Sequence, residues 1–162
     1  LILWGDGIIM GGGMGLMAGC SHRLITERTR FGMPEVTIGL FPDASGSWFL
    51  QRMPAKTGLF LGLTGAMCNG SDALLANLAE YAVASQDYDT VMQRLKQSDW
   101  QAVDNTSGAD KCHSNSAHSI VSSALAELPV AELYLAHHGA SISELIVRLH
   151  IIDESIGKLF RF

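Results

Sequence analysis

The spacing of apolar positions changes part-way along this chain. Over the first forty residues they come in short runs broken by glycine and proline, a pattern of short strands and tight turns rather than long helices. Residues 1–4 (Leu-Ile-Leu-Trp) read as a buried strand, Gly5-Asp6-Gly7 as a turn, and Ile8-Ile9-Met10 as a second extended piece. Gly11-Gly12-Gly13-Met14-Gly15 then forms a glycine-rich loop running into a small-residue helix that reaches Ala18. Residues 23–26 predict another strand, 27–30 a charged turn, and 31–40 an extended segment interrupted by Pro34, which lacks an N–H and biases Met33 away from helix. Residues 41–47 read as a loop in which Asp43 is placed to cap a helix starting at Trp48. Residues 57–64 are helical in character, and Ser71-Asp72-Ala73 opens a further capped helix.

Beyond residue 85 the pattern is helical only. Tyr88, Val91, Met92 and Leu95 recur at helical spacing, 99–116 reads as a long polar connection, and helical stretches follow near 117–127, 129–138, 141–151 and 153–162. The chain therefore divides into a strand-containing segment, 1–85, and a helical region, 86–162.

Composition narrows the classes. At 162 residues, 48% apolar and 17% charged, the chain is long enough for one cored domain and is neither a disordered tail nor a coiled coil. A net charge of −5 would repel a phosphate backbone, so nucleic acid is not expected as a partner. Cys20, Cys68 and Cys112 are odd in number and widely spaced, which suits free thiols in a reducing compartment: the cytoplasm, or the mitochondrial matrix in a eukaryote. The apolar opening is not expected to enter a membrane. No Lys or Arg precedes Arg23, Asp6 would cost a few kcal/mol in a bilayer, and three successive glycines weaken a helix. The chain lacks an initiator methionine and starts and stops on apolar residues, so it is expected to be a piece of a longer one.

Glu35 and Asp43 are the carboxylates with chemical promise. Glu35 follows a proline among Met33, Val36, Ile38 and Leu40, and burial there would suit it to act as a base or nucleophile; the plainer alternative is a strand-edge glutamate facing water. Asp43 is most simply a helix cap. The two stand eight residues apart across a proline turn, a spacing that permits convergence without requiring it. Cys112, His113 and His118 lack the spacing of a closed zinc site, so no metal is expected. His137 and His138 read as helix-end cations, Ser155-Ile156-Gly157-Lys158 as a chance Ser-x-x-Lys, and Trp4, Trp48 and Trp100 as packing residues.

In order, Gly-Asp-Gly-Ile-Ile-Met-Gly-Gly-Gly-Met-Gly-Leu and Met-Pro-Glu-Val-Thr-Ile-Gly-Leu-Phe-Pro-Asp resemble the enoyl-CoA hydratase/isomerase (crotonase) superfamily, most of all its 3-hydroxyisobutyryl-CoA hydrolase branch. The strong match covers residues 1–85, with Leu63-Thr64-Gly65 and Asp72-Ala73 also fitting. The resemblance implies an α/β fold: part of a crotonase-like ββα spiral core, followed by a helical region. It implies an acyl-CoA thioester held with its carbonyl oxygen between two backbone N–H groups, one of them from Gly12. Hydratases carry a glutamate three residues after that glycine, where this chain has Gly15, and tend to carry glycine where it has Asp43. The resemblance thus implies a thioester hydrolase in which Glu35 activates water or attacks the carbonyl, and Asp43 orients a substrate hydroxyl or assists proton movement. It implies no cofactor beyond the coenzyme A of the substrate, and leaves a homo-oligomer open. Ser45-Gly46-Ser47 departs from the family's glycine pair after the aspartate. The family's first oxyanion donor and much of its CoA contact surface lie upstream of Leu1. Two alternatives stand beside the hydrolase: an enoyl-CoA hydratase or isomerase using Glu35 alone, and a non-catalytic assembly protein.

Overall fold

The computed structural model describes residues 1–100, 114–126 and 128. Its frame is a unit of two strands set at a turn, repeated. Strands β1 (Ile2–Gly5) and β2 (Ile8–Met10) lead into helix α1 (Gly12–Gly19), and β3 (His22–Ile25) and β4 (Arg30–Gly32) form the next coil. The second coil lies parallel on the first, with Ile2 paired to His22 and Gly5 to Ile25 in one sheet, and Ile8 to Arg30 and Met10 to Gly32 in the other. β6 (Tyr81–Ala82) extends the first sheet in parallel on β3, and β5 (Cys68–Asn69) closes the second antiparallel on β4. This is the ββα spiral of an α/β protein expected from the sequence.

Polar side chains hold the corner between coils. Thr29 Oγ1 donates to the Gly5 carbonyl at 2.5 Å and accepts from the Thr26 N–H at 2.8 Å. Thr26 Oγ1 donates to Asp6, which also takes the Arg28 guanidinium. The Arg28 and Thr26 hydrogen bonds hold the Asp6 carboxyl below the usual aspartate value against partial burial. Asp6 therefore joins successive turns of the spiral.

Helix α1 stands by burial rather than propensity. Gly12, Gly13 and Gly15 each cost about 1 kcal/mol relative to alanine in a helix. Met14 and Met17 are fully buried, and such side chains return about 1.5–3 kcal/mol each. They pack with Ile25, Phe31, Met33, Leu61 and Leu78 in the main core. The other face of the β1-β3-β6 sheet is covered too. Leu24 and Val83 meet Val91 of α5 (Tyr88–Gln97) and Val121 and Leu125 of α6 (Ser114–Ala126), with Trp4 edge-on to Tyr88 at 5.1 Å.

Several local expectations need correction. Residues 34–38 are not extended: Pro34–Ile38 is a 3-10 helix with Pro34 in its first turn, where the missing N–H costs nothing. Asp43 does not cap α2 (Gly46–Leu50); Ser45 stands at the cap without a side-chain hydrogen bond. The helix near residue 71 is α4 (Gly70–Leu75). Its cap is Asn69, whose carboxamide accepts from the Asp72 N–H while Asp72 returns the bond to the Asn69 N–H, each at 3.0 Å. Residues 57–64 do form a helix, α3 (Thr57–Thr64). The polar stretch ends earlier than expected, since α6 starts at Ser114. The strand expected to be buried at residues 1–4 is the half-buried β1 (Ile2–Gly5), with Leu1 outside it and exposed. Trp48 and Trp100 are exposed, with the Arg52 guanidinium 4.0 Å over the Trp48 ring. Cys112, His113, His137, His138, Ser155, Lys158 and the helices expected after residue 128 lie outside the described residues. No helix among the described residues is long and apolar enough to cross a membrane.

Two titrations follow from the packing. His22 is buried beneath α6, with Nε2 3.0 Å from Ser122 Oγ, Nδ1 3.1 Å from Ser21 Oγ, and the His118 ring 4.3 Å away. Burial first, and then His118, push its pKa below the ordinary 6.5; Glu80 opposes this and the chain's amino group adds to it. The unfolded chain thus takes up this proton more readily than the folded one, so the stability His22 contributes is present at neutral pH and lost as pH falls through 6.5. Urea midpoints should drop from about pH 7.5 to about 5.5, and the slope should flatten in His22→Gln. Burial, and then Asp72, push the Cys68 thiol up to about 12 from 9.0, so its contribution is intact below 9.0 and lost as pH rises towards 12. A thiol reagent at neutral pH should modify half-buried Cys20 and spare Cys68 until denaturant is added; equal rates would contradict this placement.

Candidate active site

Three segments meet at the start of α1. Gly11, at φ 48°, turns the chain from β2 into the helix, and its N–H reaches back to the Gly32 carbonyl at 3.4 Å. The Gly11 carbonyl accepts from Met14 at 2.9 Å and Gly15 at 3.3 Å. The N–H groups of Gly12 and Gly13 are then the donors at the helix end, where the partial positive charge of the dipole also lies. Gly12 is exposed, and a Cβ there would meet nothing within 4 Å, so its backbone can be approached from outside.

Glu35 comes to this end from the 3-10 helix. Its neighbour Met33 is fully buried, which draws the segment inward, and the Gly39 and Leu40 N–H groups both reach the Glu35 carbonyl. The side chain is 7% exposed. The water-facing alternative therefore fails. Its carboxylate lies against Gly11: a Cβ on that glycine would stand 2.7 Å from Glu35 Oε1. Oε2 is buried with no hydrogen-bond partner among the described residues. An unpartnered buried oxygen costs about 1–3 kcal/mol, more when charged, and is uncommon outside functional sites.

The Asp43 turn reaches the same helix one turn further on. A Cβ at Gly15 would overlap the carbonyl oxygen of Ala44 and stand 2.8 Å from its methyl group. Gly11 and Gly15 lie on one helix face, so Glu35 and the turn approach α1 along a common stripe. Asp43 itself is exposed, and its carbonyl accepts from the Gly46 N–H at 2.6 Å. Gly12 and Glu35 thus come together at the start of α1, while Asp43 is brought near the helix only through its neighbour Ala44, its own side chain being exposed. Sequence reasoning passed over the close approaches of Glu35 to Gly11 and of Ala44 to Gly15.

The arrangement offers backbone donors and a buried carboxylate side by side, a set suited to acyl chemistry. Among the described residues no cluster of His, Cys, Asp or Glu could hold a metal ion. Two cavities lie elsewhere. One of about 670 Å³ sits between α5 and α6, lined by Arg94, Ser98 and Ser119. The other, of about 290 Å³, lies at the far end of α1 beside Cys20, Arg23 and Trp48. Neither is lined by Glu35, and size alone does not mark them as the reactive centre.

A family model described as enoyl-CoA hydratase/isomerase matches residues 1–158. The chain is 48% identical over 90 residues to the mitochondrial 3-hydroxyisobutyryl-CoA hydrolase of Xenopus tropicalis, a match covering 56% of this chain and 23% of that protein. It is 46% identical over 90 residues to small ribosomal subunit protein mS47 of Neurospora crassa, covering 56% of this chain and 18% of that one. The matched region is thus under a quarter of either relative's length. Among solved structures, an enoyl-CoA hydratase from Rhodobacter sphaeroides superposes with a TM-score of 0.59 at 28% identity, over 99% of this chain and 37% of that one. A carnitinyl-CoA dehydratase from Mycobacterium thermoresistibile gives 0.57 at 27% identity, over 92% and 42%. With the family model spanning nearly the whole sequence and the spiral shared with these structures, the chain belongs to the enoyl-CoA hydratase/isomerase family.

Proposed function

We propose that this chain is the core of an acyl-CoA thioester hydrolase acting on a short branched 3-hydroxyacyl group, as in 3-hydroxyisobutyryl-CoA. The observation that carries this reading is the buried Glu35 carboxylate, one oxygen unpartnered, held against Gly11 beside the free donors at the start of α1. The thioester carbonyl oxygen accepts from the Gly12 N–H, so charge developing on it in the tetrahedral state meets a donor already in place. Glu35 takes a proton from the water that attacks the carbonyl carbon and passes it to the departing coenzyme A sulfur, leaving the free acid; or Glu35 attacks the carbon itself, coenzyme A leaves as a thiolate that takes a proton from solvent, and water then hydrolyses the acyl–Glu35 anhydride to the acid and the free carboxylate. Asp43, exposed and one helical turn away, receives the substrate hydroxyl. No cofactor is needed for such a step beyond the coenzyme A that the substrate brings. The mitochondrial hydrolase of Xenopus tropicalis supports the substrate class, and supports a mitochondrial matrix location where the source is eukaryotic.

Gly15 weighs against hydration across a double bond, because α1 supplies no second carboxylate there; isomerisation with Glu35 as single base is the related alternative. A second reading has its own support. The Neurospora crassa relative is named as a ribosomal subunit protein at nearly the same identity, and Ile38, Leu40 and Phe41, beside the site, are 54–76% exposed. An assembly role, with a partner or a second copy over this face, fits both observations.

Thiol release from 3-hydroxyisobutyryl-CoA by the full-length parent protein separates these readings. Glu35→Gln should abolish release while the fold is retained. Gly12→Pro removes one donor at a helix position that suits proline, and should lower kcat by about 10²–10³. Double-bond chemistry on crotonyl-CoA without thiol release would favour the isomerase, and silence on both substrates the assembly role.

A further inference from the structure

Ala44 and Ser45 both adopt the left-handed conformation, at φ 43° and 67°, which residues bearing a Cβ rarely take, and then only where their surroundings impose it. The surroundings here are specific. The Ala44 carbonyl and methyl fill the space a side chain at Gly15 would occupy. The Ser45 carbonyl accepts from Trp48 at 2.8 Å and Phe49 at 3.3 Å, and the Gly46 N–H closes back onto Asp43. Pro42 is wedged between glycines: a Cβ on Gly46 would lie 2.8 Å from its Cβ, and one on Gly62 3.2 Å from its Cγ. Asp43 thus stands between two clamped neighbours, with its own side chain exposed.

We propose that Gly15 is a positioning residue: the side chain it lacks seats the Ala44–Ser45 turn on α1 and thereby sets Asp43 where it selects acyl groups bearing a hydroxyl. The selectivity half of this rests on the hydrolase reading above. In this chain a side chain at position 15 would overlap the Ala44 carbonyl oxygen, so a carboxylate there would require the turn carrying Asp43 to shift.

The test uses the full-length parent enzyme and compares kcat/KM for 3-hydroxyisobutyryl-CoA and isobutyryl-CoA, which differ by the hydroxyl. In Gly15→Ala the ratio of the two should fall about tenfold or more, since displacements near 1 Å have effects of that size. Exchange of the Gly46 amide should quicken in Gly15→Ala as the turn lifts. An unchanged ratio, or an equal loss on both substrates, would overturn the proposal. Should Gly15→Ala fail to fold, Ala44→Gly/Ser45→Gly loosens the turn without adding bulk, and the same fall in ratio is expected; no fall overturns the proposal. If the wild type cleaves neither thioester, the hydrolase reading fails by itself and the selectivity claim with it. The seating of the turn is then decided by the Gly46 amide alone, faster exchange in Gly15→Ala supporting it and unchanged exchange refuting it.

Discussion

Helix α1 has to satisfy two demands that pull its sequence in opposite directions. One face must fill the space between the sheets and the later helices, and Met14 and Met17 do this with complete burial. The other face must let foreign groups come within van der Waals reach of its backbone, which only glycine permits: Glu35 closes on Gly11, and Ala44 on Gly15. A helix with so many glycines is poor by propensity, at about 1 kcal/mol for each interior one. It persists because the spiral on one side and the core on the other hold it in place, so the site inherits its geometry from the burial of two methionines on the face it does not use.

Glu35 shows how this geometry turns into reactivity. A carboxylate oxygen left without a partner in a buried position is destabilising, and the segment bearing it is held despite that by fully buried Met33 before it and by the turn closing on its carbonyl after it. The group is therefore presented with an unsatisfied acceptor and little freedom to relax. A donor such as water beside Glu35 would relieve that deficit, and an acceptor beside Gly12 would take the helix-end N–H groups, the pair of interactions on which the proposed acyl chemistry rests.

Much of this was legible in the sequence, and the failures have physical causes. The strand-turn-strand repeat, the glycine-led helix and helices α3 and α5 follow from spacing and turn residues. Gly12, Glu35 and Asp43 stand as candidates by motif, and the structure brings Glu35 to the helix end beside Gly12. Pro34 reads as a helix breaker in an extended segment, yet proline suits a helix start, and Pro34–Ile38 is a 3-10 helix. Asp43 was assigned as a cap because the sequence pattern of a cap does not record whether the side chain turns back onto the helix. Asn69 was passed over for Ser71, a neighbour of similar propensity. The close approaches at Gly11 and Gly15 are invisible to any local rule. They join residues 24 and 29 positions apart, and only the fold brings those together.

Relatives of the same frame carry both an enzyme's name and a ribosomal protein's name, at 48% and 46% identity, so the frame by itself does not choose between catalysis and assembly. What chooses is the part of the structure that the frame does not need. An interaction surface is served by exposed apolar side chains such as Ile38 and Phe41; it gains nothing from an unpartnered oxygen buried on Glu35, or from two successive left-handed residues beside Asp43. The buried oxygen weakens the fold and lies beside the helix end that presents the Gly12 donor. Left-handed backbone recurs away from the site, at Ala55 and Lys56, so it is the unmet polarity of Glu35, among the described residues, that a ligand engaging this point accounts for and a partner merely covering it does not. The hydrolase reading therefore stands ahead of the assembly reading.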